Sequence, residues 1–517
     1  MITLAEDIAQ SGARRVFGIP GGGTSLSVID ALEKSGIQFS LGYHEASCAI
    51  IAAVYGAISH TPAITFSIKG PGVANLVPGL AAMKFEDLPV VAISESVSRS
   101  SLQRSIHKKM SHFHLTREVV KARMTLHEAS NPFQDAWQCA ITESPGPVLI
   151  DLVSANEDVD DAGSPPTLGD QTKTSQEVAQ DITAAIRNSA RPILILGSAC
   201  ARMAYPIRLQ DLQIPIFTTL AAKGVFDEDS IFAGGIYTGV GLESAPETKI
   251  LEQCDLVVGL CLRGKELLGY PDPKKRVINL DVGMSDVIPT IETVLIPDIQ
   301  DIGVYIDELE RKSWGAEEVG RAISDMRKIL LSDNFLPAAI FKLIEEELPE
   351  SRLVSDTGLF CTVAEHLWKA RTHRSFMCAS NGRYMGTALP MGIGASLADR
   401  SRPTIIAVGD GGIGMYVADL RIAVEQRLPI LVLLLTDGGY GSVQAATRGK
   451  GINLNLVTFQ SDSWKKVLAA LGLYGELATD FVTVSAFLNT WNWRSGPAFL
   501  ECRLDPEPYR KMIDGLR

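Results

Sequence analysis

Short apolar runs of strand length alternate with amphipathic segments from one end of the chain to the other, a pattern that restricts the fold to an α/β architecture of parallel sheets. The runs Arg15–Gly18, Ala63–Ser67, Val90–Ser94 and Val148–Leu152 form a first series. Pro192–Leu196, Ile214–Thr218, Leu256–Leu260 and Val277–Leu280 form a second. A third goes from Leu353 through Ile405–Val408 and Ile430–Leu435 to Ala498–Cys502. The polar, Pro/Gly/Ser-bearing stretch from Asn156 to Thr174 reads as a linker, and the charge-rich, helix-patterned Asp307–Lys328 marks the surface near a second junction. At 517 residues the chain exceeds a single hydrophobic core. The expectation is three consecutive doubly wound parallel-sheet domains over residues 1–160, 175–320 and 330–517.

Charge excludes several classes of partner. A net charge of −12 argues against a nucleic-acid or anionic-membrane surface, and the densest basic run, Arg104 to Lys109, is short. The apolar run Pro429 to Leu435 has the length of a buried strand, too short to span a bilayer. The N-terminal residues (Ile2, Leu4, Ile8) are amphipathic and carry no signal-peptide core. The eight cysteines are scattered without a CxxC pair, which fits a reducing cytoplasm and buried thiols rather than zinc or disulfides.

The most specific local pattern lies in the third series. The strand ending at Val408 runs into Gly409-Asp410-Gly411-Gly412, and a helix is expected from about Tyr416. Glycines at a strand end let backbone N–H groups approach a phosphate, and a helix N-terminus adds its positive dipole end. The next strand ends in Thr436-Asp437-Gly438-Gly439-Tyr440-Gly441, placing Asp437 twenty-seven residues after Asp410. A helix of the intervening length brings both carboxylates to one sheet edge, where open α/β sheets bind ligands. Two carboxylates with carbonyls, waters and phosphate oxygens are hard ligands that suit magnesium. Gly-Asp-Gly alone reads as a tight turn; the second glycine-rich strand end favours the site.

This pair resembles the signature of the thiamine diphosphate-dependent enzymes, Gly-Asp-Gly followed by about thirty residues and Asn-Asn. By that resemblance Asp410 and Asp437 ligate Mg2+ through side chains and Gly439 through its carbonyl, while Gly409, Gly411, Gly412 and Tyr440 hold the cofactor. The chain departs from the pattern in carrying Thr436-Asp437 for Asn-Asn, which keeps the oxygen ligand and adds a charge. Phe17-Gly18-Ile19-Pro20-Gly21-Gly22-Gly23, His44-Glu45 and Gly70-Pro71-Gly72-Val73-Ala74-Asn75-Leu76 are similar in order and spacing to the acetolactate synthase and pyruvate decarboxylase superfamily. There the Glu of the His-Glu pair bonds the cofactor's aminopyrimidine nitrogen, and loss of the C2 proton depends on it; carried over, it is Glu45. Read from the residues alone, Glu45 opens an apolar helix (Ala46–Tyr55) and serves its dipole. The likeness continues through Pro215–Thr219 and Ala222-Lys223-Gly224, then Asp356-Thr357-Gly358, where Gly358 joins the cofactor site, and Gly382–Pro390. Met385 becomes the apolar wedge that bends the cofactor, against ordinary core packing as the plain reading. The resemblance implies a pyrimidine-binding N-terminal domain, a central domain and a diphosphate-binding C-terminal domain. It also implies a homodimer or homotetramer with sites shared between subunits.

Residues near C2 bear on the reaction. Simple pyruvate decarboxylases place a Glu six residues after the last metal-binding side chain; Val443 stands there, closer to acetolactate synthases. The expectation is a carboligase that decarboxylates a 2-oxo acid and transfers the acyl-anion equivalent to a second carbonyl. Alternatives are a non-ligating decarboxylase or C–C lyase, and an inactive cofactor-binding subunit. Lys69 stands where synthases carry Ser, and His107-Lys108-Lys109 where they carry Phe-Gln-Glu. Lys69 and His107 are candidates to meet an anionic substrate, with solvated side chains as the plain reading. His112 and His114 are expected on a helix surface. Arg191–Arg202 shows no flavin pattern, so FAD is expected to be absent.

Overall fold

The computed structural model describes residues 2–22, 24–96, 108, 110–126, 132–152, 176–203, 209–269, 275–283, 288, 291–296, 299–332, 334–447, 450–459 and 463–517. The expected linker from Asn156 to Thr174 lies outside them. The first sheet contains β1 (Arg15–Gly18), β2 (Gln38–Leu41), β3 (Ile64–Ser67), β4 (Val90–Glu95), β5 (Ala122–Leu126) and β6 (Pro147–Leu152). The second contains β7 (Pro192–Leu196), β8 (Ile216–Thr218), β9 (Ala233–Ile236), β10 (Leu256–Leu260), β11 (Arg276–Asp281) and β12 (Glu292–Leu295). The third contains β13 (Arg352–Ser355), β14 (Phe376–Cys378), β15 (Thr404–Gly409), β16 (Ile430–Thr436), β17 (Tyr474–Ala478) and β18 (Ala498–Arg503). All pairings between these strands are parallel. Three α/β units built on six-stranded parallel sheets are therefore the architecture, as the alternating pattern requires.

The outer sheets share one order, β2-β1-β3-β4-β6-β5 and β14-β13-β15-β16-β18-β17. In each, the strand order reverses beside the first strand of the unit, and ligands bind outside the carboxyl ends of strands at such a switch point. Lys69 and Gly70 follow β3 in the first unit, and Asp410 follows β15, its counterpart, in the third. The middle sheet, β12-β11-β10-β7-β8-β9, reverses between β7 and β10.

The twelve runs anticipated as strands are the twelve interior strands, and the six that the pattern did not reveal are the six sheet edges. Interior strands are covered on both faces and read as continuous apolar runs; β16 is buried at every position. Edge strands have mixed burial, as in β2 and β17, or are as short as the three residues of β14.

The first and third units pack directly through the helices Glu45–Ser59 and Ala388–Ala398. Ile51, Val54, Leu389 and Ile393 are fully buried in one core shared between them. The Glu86 carboxylate reinforces the junction by accepting the backbone N–H groups of Ser380, Asn381 and Gly382, each at 3.0 Å. Among the described residues no helix is long and apolar enough to cross a membrane.

Candidate active site

In the third unit, β15 and β16 run side by side, with Gly409 opposite Leu435, so their ends deliver Asp410 and Asp437 to one edge. The helix expected from about Tyr416 begins instead at Asp410 and ends at Tyr416. The glycines had marked a turn, but tertiary contacts hold them in helix, with Asp410 in the favourable first turn. The Asp410 carboxylate is 7% exposed, and its Oδ2 accepts the N–H groups of Asp437 and Gly438, each at 3.0 Å. Oδ2 of Asp437 is buried and has no hydrogen-bond partner among the described residues. Burial raises the pKa of Asp410, while burial and then the Asp410 charge push Asp437 up to about 6. Two crowded carboxylates, one with an orphaned oxygen, fit a divalent cation that would favour their ionised forms. Among the described residues no group of three or more His, Cys, Asp or Glu side chains gathers as a metal site, so backbone and cofactor oxygens would complete the shell.

The glycines beside Asp410 leave a cradle. A Cβ at Gly411 would strike the Tyr440 ring and approach Met385 Sδ to 3.3 Å; one at Gly412 would overlap Asp356 Oδ2. Gly358 caps the helix Leu359–Leu367 immediately after β13, and Gly409 faces the same Phe360 ring. The structure thus gathers Gly358, Met385, Gly409, Asp410, Gly411, Gly412, Asp437 and Tyr440 at one strand edge. Gly439 adjoins them through its bridge to Thr458. Asp356 had no assigned role. Its Oδ2 accepts the Gly386 N–H at 2.9 Å, and burial pushes its pKa up to about 7. It braces the Met385–Gly386 turn against Gly412.

The first unit presents a second cluster. His44 caps the helix Glu45–Ser59, its Nδ1 accepting the Ala46 N–H at 3.1 Å, and this fixes Glu45 at the first helical position. Glu45 therefore does face the helix dipole, and it is also held by a specific partner. It is 7% exposed, and its Oε2 accepts Asn75 Nδ2 at 3.0 Å. Asn75 belongs to the Gly70–Leu76 motif, and no local pattern marks it as the partner of Glu45. A Cβ on Gly72 would stand 3.6 Å from Glu45 Oε1, so the Gly70-Pro71-Gly72 turn that follows Lys69 runs past the carboxylate. Lys69 is half-buried, and among the described residues nothing pairs with its ammonium. His107 and Lys109 lie outside the described residues. Within one chain the His44 and Tyr416 rings stand 5.9 Å apart where the first and third units pack.

His112 corrects the expectation of a surface position, while His114 is exposed. His112 is buried because Asp151 and the Gly70 amide bind its two ring nitrogens, at 2.7 and 3.0 Å.

Comparison with known proteins agrees with this layout. The profile "Thiamine pyrophosphate enzyme, N-terminal TPP binding domain" matches residues 3–116. The corresponding central-domain profile matches 179–309 and the C-terminal TPP binding domain 356–502. The acetolactate synthase of Bacillus subtilis (strain 168) is 26% identical over 91% of this chain and 87% of its own length. Acetolactate synthase isozyme 1 large subunit of Escherichia coli (strain K12) is 25% identical over 98% and 93%. A probable acetolactate synthase large subunit of Methanocaldococcus jannaschii is 25% identical over 85% and 80%. With one profile falling on each of its three sheets, the chain belongs to the thiamine pyrophosphate enzymes.

Proposed function

We propose that the chain is a thiamine diphosphate- and Mg2+-dependent carboligase that takes a 2-oxo acid as donor and a second carbonyl as acceptor. Thiamine diphosphate held at the cradle would supply a nucleophilic carbon and a sink for the electron pair that carbon dioxide leaves behind. Asp410, Asp437 and the Gly439 carbonyl would hold the metal, Gly358, Gly409, Gly411, Gly412 and Tyr440 would hold the diphosphate end, and Met385 would pack against the cofactor. Glu45 carries the proton exchanged with the pyrimidine nitrogen. Its Oε2 is occupied by Asn75, while Oε1 has no hydrogen bond among the described residues. Lys69, whose ammonium has no partner among the described residues, would meet the donor carboxylate, and His107 is a further candidate to meet it.

The observation that carries ligation over simple decarboxylation is Val443. It lies in the first turn of the helix Gly441–Ala446, after the Asp437 turn, is 47% exposed, and has no proton to donate where an acid would favour release of an aldehyde. Relatives named acetolactate synthases support the same reading. Flavin has no part in it. Ser198 follows β7 at the middle unit's switch point, and its N–H and Oγ donate to the buried Glu266 carboxylate at 2.9 and 2.6 Å. Thr219 Oγ1 donates to the same group at 2.6 Å. The chain's own carboxylate thus takes donors that a nucleotide phosphate would use.

The active form is a homodimer or a dimer of dimers, with each cofactor held between the first unit of one subunit and the third of its partner. Met415 and Val443, apolar side chains flanking the cradle, are 46% and 47% exposed on a single chain, and a second copy would cover them. All eight cysteines are free thiols, in keeping with a reducing cytoplasm.

The reaction is tested with holoenzyme and a panel of pyruvate, 2-oxobutanoate, glyoxylate, phenylpyruvate and 2-oxoglutarate, recording carbon dioxide and products together. Ligated hydroxyketone should exceed free aldehyde for the donor that is turned over fastest. Aldehyde in equal amount to carbon dioxide would make the enzyme a simple decarboxylase.

A further inference from the structure

A buried polar chain stands behind the turn that carries Lys69, and the cofactor chemistry makes no use of it. Asp151 lies in β6, fully buried in a strand whose other side chains are apolar. An ionised carboxylate there requires partners. One oxygen meets His112 Nδ1 at 2.7 Å, and the other accepts Arg123 Nε from the adjoining β5. His112 is 5% exposed, and its Nε2 accepts the Gly70 N–H at 3.0 Å. The two contacts define the tautomer: Nδ1 carries the hydrogen toward Asp151, and Nε2 presents a lone pair to Gly70.

Gly70 is where the chain must turn. Its φ is +64°, a conformation that L side chains rarely adopt, and a Cβ there would strike the Lys108 carbonyl. The residue before it is Lys69, and two residues after it a Cβ on Gly72 would stand 3.6 Å from Glu45 Oε1. A fixed Gly70 amide holds the backbone that carries Lys69, whose ammonium has no partner among the described residues and on a flexible stem otherwise prefers water.

We propose that His112, set by Asp151 and Arg123, is a positioning residue that locks the Gly70 turn and so fixes Lys69 for the substrate carboxylate. This rests on the reading of Lys69 given above. The specificity of the site for an anionic donor is then determined by side chains that never touch the substrate.

The test uses holoenzyme and the fastest 2-oxo acid of the panel. Lys69→Met, losing one charge-assisted hydrogen bond, should raise KM by roughly 10- to 150-fold with a smaller change in kcat. His112→Phe keeps the ring and removes the acceptor; it should raise KM in the same way. His112→Gln, whose Oε1 can take the Gly70 N–H, should restore most of the loss, and this rescue separates positioning from mere folding. Because His112 acts through Lys69, the Lys69→Met, His112→Phe double variant should be no worse than Lys69→Met alone. If Lys69→Met raises KM and His112→Phe does not, or if the two effects multiply, His112 does not position Lys69 and the reading of Lys69 stands. An unchanged KM in Lys69→Met overturns both. If His112→Phe does not fold, His112→Gln decides: a KM near wild type upholds the proposal, and a KM as high as that of Lys69→Met overturns it.

Discussion

Asp410→Ala is expected to abolish metal-dependent binding of thiamine diphosphate. The carboxylate is the first residue of the helix that closes the cradle, and its Oδ2 ties down the next strand end through the N–H groups of Asp437 and Gly438. Removing it deletes a metal ligand and leaves two amide donors without their acceptor, each at a cost of about 1–3 kcal/mol. Together these predict at least a roughly hundredfold loss of affinity in a fluorescence titration with Mg2+ present. Asp437→Asn should be tolerated. The amide keeps an oxygen for the metal and removes the charge that Asp410 crowds, the repulsion that helps push Asp437 up to about 6. Wild-type affinity in Asp410→Ala would mean that the cation binds elsewhere.

Glu45→Gln should leave the cofactor bound and slow exchange of its C2 proton for deuterium by about two to four orders of magnitude, the usual range for a lost general acid–base group. The substitution is nearly isosteric, so the Asn75 contact at 3.0 Å retains an oxygen acceptor and the helix start capped by His44 is preserved. A folding defect would instead show as weak cofactor binding. NMR of the bound cofactor after a deuterium-oxide quench measures the rate. Exchange at the wild-type rate with normal affinity would remove Glu45 from the chemistry.

What could be read in advance follows from how far each interaction reaches along the chain. The twelve interior strands announce themselves because burial on both faces demands an apolar run. β2 and β17 sit at sheet edges, where polar residues are tolerated and the pattern breaks. Asp410, Gly411, Gly412 and Asp437 belong to local motifs whose glycine spacing carries the geometry. The chain from Arg123 through Asp151 and His112 to Gly70 spans three elements and a turn, so no short window contains it. A signal was present all the same: Asp151 is a charge within an otherwise apolar strand, and such a charge must be paired. The placement of the Gly409–Gly412 helix erred because glycine's low helix propensity was outweighed by packing from Tyr440, Met385 and Asp356.

That Glu45 and Asp410 serve one cofactor across two subunits is tested by mixing Glu45→Gln with Asp410→Ala chains after reversible dissociation. Each homodimer carries the same defect at both sites and should be inactive. A mixed dimer has one site with both defects and one with neither. Random reassembly makes about half of the dimers mixed, so activity should return to about a quarter of the wild-type value. Verified mixed dimers without activity would contradict a site shared between subunits.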